Sequence, residues 1–267
     1  MKKLTPGMHI RVVSPSLSIE HIGGFEANLA AKERLEKLGF TVSFSEHYLE
    51  NDMLGSASIE SRVADIHAAF ADESVDAILA TIGGFNCNEL LPYLDFELIA
   101  RNPKIFCGYS DTTALLSAIY SKTGMKTYMG PSYSSFKMDA LQDYQTESWL
   151  KAVSQTSYEL TPSEKWGDNA WYLPDAPLTF HETEWKVYHH GQAQATVIGG
   201  NLSTFSLLRG TPYAPTDENY VLFVEEAEEE DYVEFDRNLA ALLQAYPNPQ
   251  ALLIGRFPKE CQRTEEL

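Results

Sequence analysis

The residues of this chain most able to do chemistry lie in the octet Phe106-Cys107-Gly108-Tyr109-Ser110-Asp111-Thr112-Thr113. A buried apolar run, a glycine, a serine and an immediate helix start would lift the Ser110 hydroxyl onto a sharp turn. The amides of the first helical turn would face it, and such amides stabilise developing negative charge. The pattern approaches the GxSxG nucleophile elbow, with Thr112 in place of the second glycine. Capping is the commoner job of serine at a strand-to-helix turn, so Ser110 or Asp111 as an N-cap stands beside the nucleophile reading. Gly83-Gly84-Phe85-Asn86 closes the preceding strand, and in a doubly wound sheet the C-terminal strand ends converge on one crevice. A double glycine lets backbone amides approach a ligand closely; a tight turn at positive φ is the plainer alternative.

A serine nucleophile needs a base and a group to orient it. Glu225 and Glu226 follow the apolar run Tyr220 to Val224, where a carboxylate could stabilise an imidazolium, although most glutamates in an acidic run are simply solvated. The imidazole is harder to find. His189 and His190 are adjacent and would point to opposite faces of a strand, while His21, His47 and His67 fall in a loop, at a strand end and on a helix face. No HExxH or other ligand spacing points to a metal hydrolase. Cys107 lies near the elbow, as a glutamine amidotransferase nucleophile would, but it precedes Gly108 and stays in the strand.

The elements that must position these groups read as alternating strands and helices. His9 to Val13, Thr41 to Phe44, Ala77 to Ile82 and Lys104 to Cys107 are predicted strands. Between them Ala31, Leu35 and Leu38 share one helical face ending at Gly39, and Ile59, Val63, Ile66 and Phe70 form a stripe with Ser58 as N-cap. This predicts an N-terminal doubly wound, flavodoxin-like parallel sheet over residues 1–130. Residues 131–185 lose the periodicity and read as a linker and aromatic insert containing Trp149, Trp166, Trp171 and Trp185. Residues 186–267 then form a smaller C-terminal α/β domain. In it a strand opens onto the turn Gly199-Gly200-Asn201, further strands span Tyr220 to Val224 and Ala251 to Gly255, and a helix carries Phe235, Leu239, Leu242 and Tyr246. The chain stops at Arg263 to Leu267, where a helix begins without an apolar face, so the C-terminal domain reads as incomplete.

With 38 acidic against 20 basic side chains, the net charge of −18 would repel phosphate backbones and anionic lipid, which argues against nucleic-acid or membrane partners. The N-terminal residues meet Pro6 and Gly7 before any apolar run long enough for a signal sequence. Three cysteines, an odd number without CxxC pairing, fit a reducing cytoplasm.

Five ordered blocks carry a family resemblance: Ser14-Pro15-Ser16, Gly83-Gly84-Phe85-Asn86, Gly108-Tyr109-Ser110-Asp111-Thr112-Thr113, Gly199-Gly200-Asn201-Leu202, and Leu222-Phe223-Val224-Glu225-Glu226. In order and approximate spacing the chain resembles the LD-carboxypeptidase serine peptidases along its whole length. Asn86 and the insert Trp166-Gly167-Asp168-Asn169-Ala170-Trp171 are more similar to the microcin C immunity branch than to the murein tetrapeptide branch. The resemblance implies a swivelling β/α C-terminal domain and a Ser-Glu-His triad without cofactor. Ser110 would be the nucleophile and Glu225 the orienting carboxylate, with the amides of Gly84 and Asp111 as oxyanion hole. The family's histidine lies in a Gly-His turn that this sequence does not reach, which implies an inactive chain as it stands, or a degenerate binding module. The implied substrate is a peptide or an aminoacyl-nucleotide conjugate. Gly83, Phe85 and Asn86 would bind it from the first domain, Trp166 or Trp171 would stack on a base, and Asn201 would hydrogen-bond it. Each tryptophan reads equally as an anchor for the insert, and Asn201 as a turn residue in left-handed geometry. A homodimer is implied as well.

Overall fold

Alternating burial makes His9–Val13 the first strand, β1, with Ile10 and Val12 sealed on one face. The computed structural model describes residues 2–167, 178–227 and 232–257. Trp171 and the chain end from 258 onward lie outside the described residues. Two compact units divide the chain at residues 160 and 161.

In the first unit, α1 (Gly24–Ala27) and α2 (Leu29–Lys37) follow β1. Ala31 and Leu35 of α2 are buried, and Gly39 at φ 94° ends the helix in the left-handed geometry that glycine adopts freely. Strand β2 (Thr41–Phe44) leads to α3 (Ile59–Ala71), whose N-cap Ser58 accepts the Ser61 amide at 3.1 Å. Strand β3 (Ala77–Ala80), helix α4 (Phe96–Arg101), strand β4 (Ile105–Gly108), helix α5 (Thr113–Thr123) and the short β5 (Tyr128–Met129) complete the alternation. Every neighbouring pair is parallel, and the strand order β2-β1-β3-β4-β5 is the flavodoxin-like one. Its direction reverses between β1 and β3, so the loops after β1, β3 and β4 share the crevice end of the sheet. All four residues of β3 and of β4 are buried, so the elbow rides on a strand covered on both faces.

One covering layer comes from a stretch whose sequence lacks helical periodicity. Within the span read as linker, a 3-10 turn at Tyr133–Lys137 and α6 (Gln142–Ser154) belong to the first unit. They bury Tyr133, Phe136, Trp149 and Val153 in one cluster with Leu4, Ile10, Leu35, Phe40 and Ile105. The packing explains the weak signal: over the thirteen residues of α6 the buried apolar side chains are Trp149 and Val153, one turn apart.

The second unit contains an antiparallel pair of β6 (Lys165–Trp166) with β7 (His181–Glu182) and a parallel sheet ordered β10-β9-β8. Its strands are β8 (Thr196–Asn201), β9 (Tyr220–Glu225) and β10 (Ala251–Ile254), connected by α7 (Leu202–Ser206) and α8 (Tyr232–Ala245). The Gly-Gly-Asn segment is not the expected turn. Gly199, Gly200 and Asn201 remain in β8, paired with Phe223, Val224 and Glu225. Both glycines have positive φ, 121° and 136°, and a β-carbon on Gly199 would collide with the Phe223 carbonyl. A close backbone approach requires Gly199. Among the described residues no helix is long and apolar enough to cross a membrane.

Candidate active site

The elbow is built by β4 running out at Gly108. A β-carbon there would press on Thr112 Cγ2 at 2.8 Å and Ala80 Cβ at 3.0 Å, so glycine lets the following turn fold back onto the sheet. Tyr109 is extended, and Ser110 then adopts φ 56°. A non-glycine residue in left-handed geometry is strained by about 1–2 kcal/mol, a cost concentrated at functional sites. Ser110 opens a 3-10 turn, Ser110–Thr112, that runs into α5, and neither helix start is capped by a side chain. The capping alternative for Ser110 and Asp111 therefore fails. Thr112 replaces the second glycine of the motif without penalty, since its φ of −59° is ordinary helical backbone. Ser110 is half-buried and Asp111 is buried.

The glycine turn after β3 lies against this elbow. A β-carbon on Gly83 would stand 2.9 Å from Ser110 Oγ and 3.6 Å from the Asp111 nitrogen, so Gly83 faces the hydroxyl. Gly84, at φ 150°, abuts the loop after β1 instead: its β-carbon would strike Ser16 Oγ, and Leu17 N lies 2.9 Å away. The Leu17 amide donates to the Gly83 carbonyl at 3.2 Å, tying the two loops together. Phe85 projects from the turn at 78% exposure, and a cleft of about 170 Å³ is lined by Leu17, Leu54, Phe85 and Asn86.

Asn86 has an internal job. Its Oδ1 accepts from Ser56 Oγ and Arg62 Nη1 at 3.1 Å each and from Ser16 Oγ at 3.3 Å. The Asp111 carboxylate accepts Ser16 Oγ at 2.6 Å and the Cys87 amide at 2.8 Å. Burial and the neighbouring Asp111 carboxylate push the Cys87 thiol well above its usual range, so it stays protonated and inert. Arg62, the Ser16 hydroxyl and the Asp111 side chain escape sequence reasoning. They are isolated polar residues far apart in the chain, and only the Ser-Pro-Ser block hints at one of them.

In the second unit, Glu225 ends β9 opposite Asn201. Burial raises its carboxyl pKa to about 7, against the Asn201 hydrogen bond and with help from the adjacent Glu226 charge. Its Oε1 is buried with no hydrogen-bond partner among the described residues. Glu226 is more satisfied, accepting from Asn201 Nδ2 at 3.0 Å, the Ser203 amide at 3.2 Å and the Ala227 amide at 3.2 Å. Asn201 is 3% exposed and caps α7 by accepting the Thr204 amide at 3.1 Å. Its φ is −60°, so the left-handed reading fails. Gly255, just past β10, leaves room for Glu225: a β-carbon there would lie 2.6 Å from Glu225 Cβ. Trp166 packs against His181 with ring centroids 4.9 Å apart, and the Arg256 guanidinium sits 4.4 Å from the Trp166 ring centroid. Trp171 lies outside the described residues.

Three histidines of the first unit, His9, His47 and His67, are held by partners away from the elbow. His9 bonds Ser43 Oγ at 2.6 Å, His47 holds the buried Asp65 at 2.8 Å, and the His67 ring accepts the Asp95 amide at 2.8 Å. The Asp65 hydrogen bond raises the His47 pKa. Among the described residues no group of three His, Cys, Asp or Glu side chains is placed to hold a metal.

Comparison with known proteins places these halves. The family model of the LD-carboxypeptidase N-terminal domain matches residues 10–130, and that of the LD-carboxypeptidase C-terminal domain matches residues 194–267. YocD of Bacillus subtilis (strain 168), which carries a carboxypeptidase name, is 47% identical over 96% of this chain and 80% of its own length. The crystal structure of an MccF-like protein from Bacillus anthracis str. Ames, 44% identical, matches 99% of this chain and 82% of that one with a TM-score of 0.95. The microcin C7 self-immunity protein MccF of Escherichia coli is 30% identical over 93% of this chain and 78% of its own. A structure of MccF in complex with aspartyl sulfamoyl adenosine, 29% identical, covers 99% of this chain and 83% of that chain with a TM-score of 0.90.

Proposed function

The chain belongs to the LD-carboxypeptidase family, and from that membership we propose that it is a serine amidase acting on an aminoacyl- or peptidyl-nucleotide amide. Ser110 Oγ attacks the amide carbonyl carbon while a histidine base takes its proton. The negative charge that develops on the carbonyl oxygen is received by the amides of Gly84 and Asp111. Collapse of the tetrahedral intermediate breaks the C–N bond, and the histidine returns the proton to the departing amine. Water, deprotonated by the same base, then attacks the acyl ester and frees Ser110. Glu225 is the group that orients the imidazole, and Asn201 serves by holding the carboxylates rather than by touching substrate.

One observation carries this reading: Ser110 sits at φ 56° on a strand-to-helix elbow, pressed against Gly83 and capping nothing. Strain at a partly exposed hydroxyl has no stabilising purpose there. The orphaned Glu225 Oε1 supports the second assignment, because a buried acceptor calls for a donor such as an imidazole N–H. The nucleotide preference rests on MccF as a relative and on the aromatic insert, where Trp166 or Trp171 would stack on the base while Gly83, Phe85 and Asn86 line the acyl side. A homodimer belongs to the same proposal through the family resemblance, and a cytoplasmic location through the odd number of cysteines without CxxC pairing.

The test is release of aspartate from aspartyl sulfamoyl adenosine by the full-length protein and by its Ser110→Ala variant. Loss of release in the variant supports the assignment, and equal turnover by the variant disposes of the nucleophile. Faster release of D-alanine from a murein tetrapeptide would move the protein to the cell-wall branch.

A further inference from the structure

Two buried ionisable side chains, Arg62 and Asp111, meet on a single peptide group. Arg62 Nη1 donates to the Asn86 carbonyl at 3.1 Å, and Asp111 Oδ2 accepts the Cys87 amide at 2.8 Å. Those are the two polar ends of the same Asn86–Cys87 peptide. Its dipole is therefore aligned between a cation on the oxygen side and an anion on the hydrogen side, with both hydrogen bonds charge-assisted. Secondary bonds brace each end. Arg62 Nη1 also reaches the Pro15 carbonyl at 3.2 Å and Asn86 Oδ1 at 3.1 Å, and Nη2 pairs with Glu89 at 2.9 Å. Ser16 Oγ joins Asp111 Oδ2 at 2.6 Å to Asn86 Oδ1 at 3.3 Å.

We propose that Arg62 and the Asp111 carboxylate form a clamp that fixes the glycine turn against the nucleophile elbow, and that both are positioning residues for amide hydrolysis. The inference rests on the amidase reading and deepens it. Asp111 follows the nucleophile directly, so its backbone belongs to the elbow while its side chain grips the turn that carries Gly83 and Gly84. Nucleophile and amide donors are thus tied through one residue. Arg62, on α3, pulls the other end of the same peptide and keeps the turn from rotating away. Slack of even an ångström in such an arrangement lowers the rate while leaving substrate contacts largely intact.

The experiment compares Arg62→Met, Asp111→Asn and the double variant with the unsubstituted full-length protein. Hydrolysis of aspartyl sulfamoyl adenosine and amide hydrogen exchange at Cys87 are the readouts. Each single variant should lower kcat by about tenfold to a hundredfold with KM within about threefold, counted per serine reactive toward a fluorophosphonate. The double variant should be no worse than the weaker single variant by more than about threefold, because breaking either end releases the same peptide. Arg62→Met should speed Cys87 exchange by about tenfold or more, although the Asp111 acceptor is untouched. Unchanged Cys87 exchange, multiplicative losses in the double variant, or a kcat per reactive serine equal to that of the parent would each overturn the clamp. The last result is what a merely structural ion pair would give, since it would lower the folded fraction and not the turnover of folded molecules. If the parent protein hydrolyses nothing, the amidase reading fails, and the exchange measurement still decides whether the clamp exists.

Discussion

Gly83 and Ser110 stand so close that a methyl group on the glycine would lie 2.8 Å from the serine Cβ and 2.9 Å from its Oγ. Any side chain at residue 83 must push the hydroxyl out of place. Gly83→Ala should therefore lower kcat by about a hundredfold, since the obstruction falls on the attacking atom. The melting temperature should fall as well, because the clash includes Ser110 Cβ, which moves only with the backbone of the elbow. Steady-state kinetics beside a melting curve checks both, and a kcat within about threefold of the parent would mean that residue 83 does not face the reacting hydroxyl.

The left-handed backbone at Ser110 separates two substitutions that both remove the hydroxyl. Ser110→Gly relieves the φ 56° strain, whereas Ser110→Ala retains it. After allowing for glycine's greater freedom in the unfolded chain, the glycine variant should be more stable than the alanine variant by about 0.5–1 kcal/mol. Denaturant titration measures the difference. Equal stabilities would show that the elbow is not strained.

Glu225 makes the second unit sensitive to pH. Its carboxyl is raised from 4.5 to about 7 by burial, so the folded protein binds the extra proton between those values. Stability is then highest with respect to this group below about pH 4.5, falls as pH rises through 7, and levels off above. Glu225→Gln should stabilise the protein at pH 8 by an amount of order 1–3 kcal/mol and have little effect near pH 4. A gain that is the same at both pH values would show that the carboxyl is not raised.

Trp166 has Arg256 over its ring and His181 beside it. If that indole supports a nucleobase, Trp166→Ala should weaken binding of aspartyl sulfamoyl adenosine by about tenfold, the scale of an aromatic contact, and leave murein peptides unaffected. Calorimetric titration with both ligands tests this. Unchanged affinity for the nucleotide would leave Trp166 as an anchor of the β6–β7 strand pair.

Residues whose role is set by near neighbours in sequence were legible without coordinates. The stripe Ile59, Val63, Ile66, Phe70 with its Ser58 cap, the strands β1 and β2, and the run from β4 through Ser110 into α5 all follow from local period and turn chemistry. What stayed hidden depends on distant pairs. Nothing near Arg62 indicates that its guanidinium ends on the Asn86 carbonyl, and nothing near Ser16 points to Asp111. Gly199 and Gly200 look like a turn because the need for Gly199 comes from the Phe223 backbone on the next strand. Tyr133 gives no periodic signal, yet it is fully buried, with its hydroxyl donating to the Asn28 carbonyl at 2.9 Å.

That last contact bears on where the molecule can be cut. The Leu4 amide donates to the Val153 carbonyl at 3.0 Å, Arg34 reaches the Phe136 and Met138 carbonyls, and Phe136 and Phe40 both pack on Trp149. The back wall of the nucleophile's layer is thus supplied by chain that comes after its last strand. A recombinant fragment stopped at residue 130 would leave Leu4, Phe40 and the outer side of α2 wet, and should be recovered as aggregate. One extended to residue 160 keeps that wall.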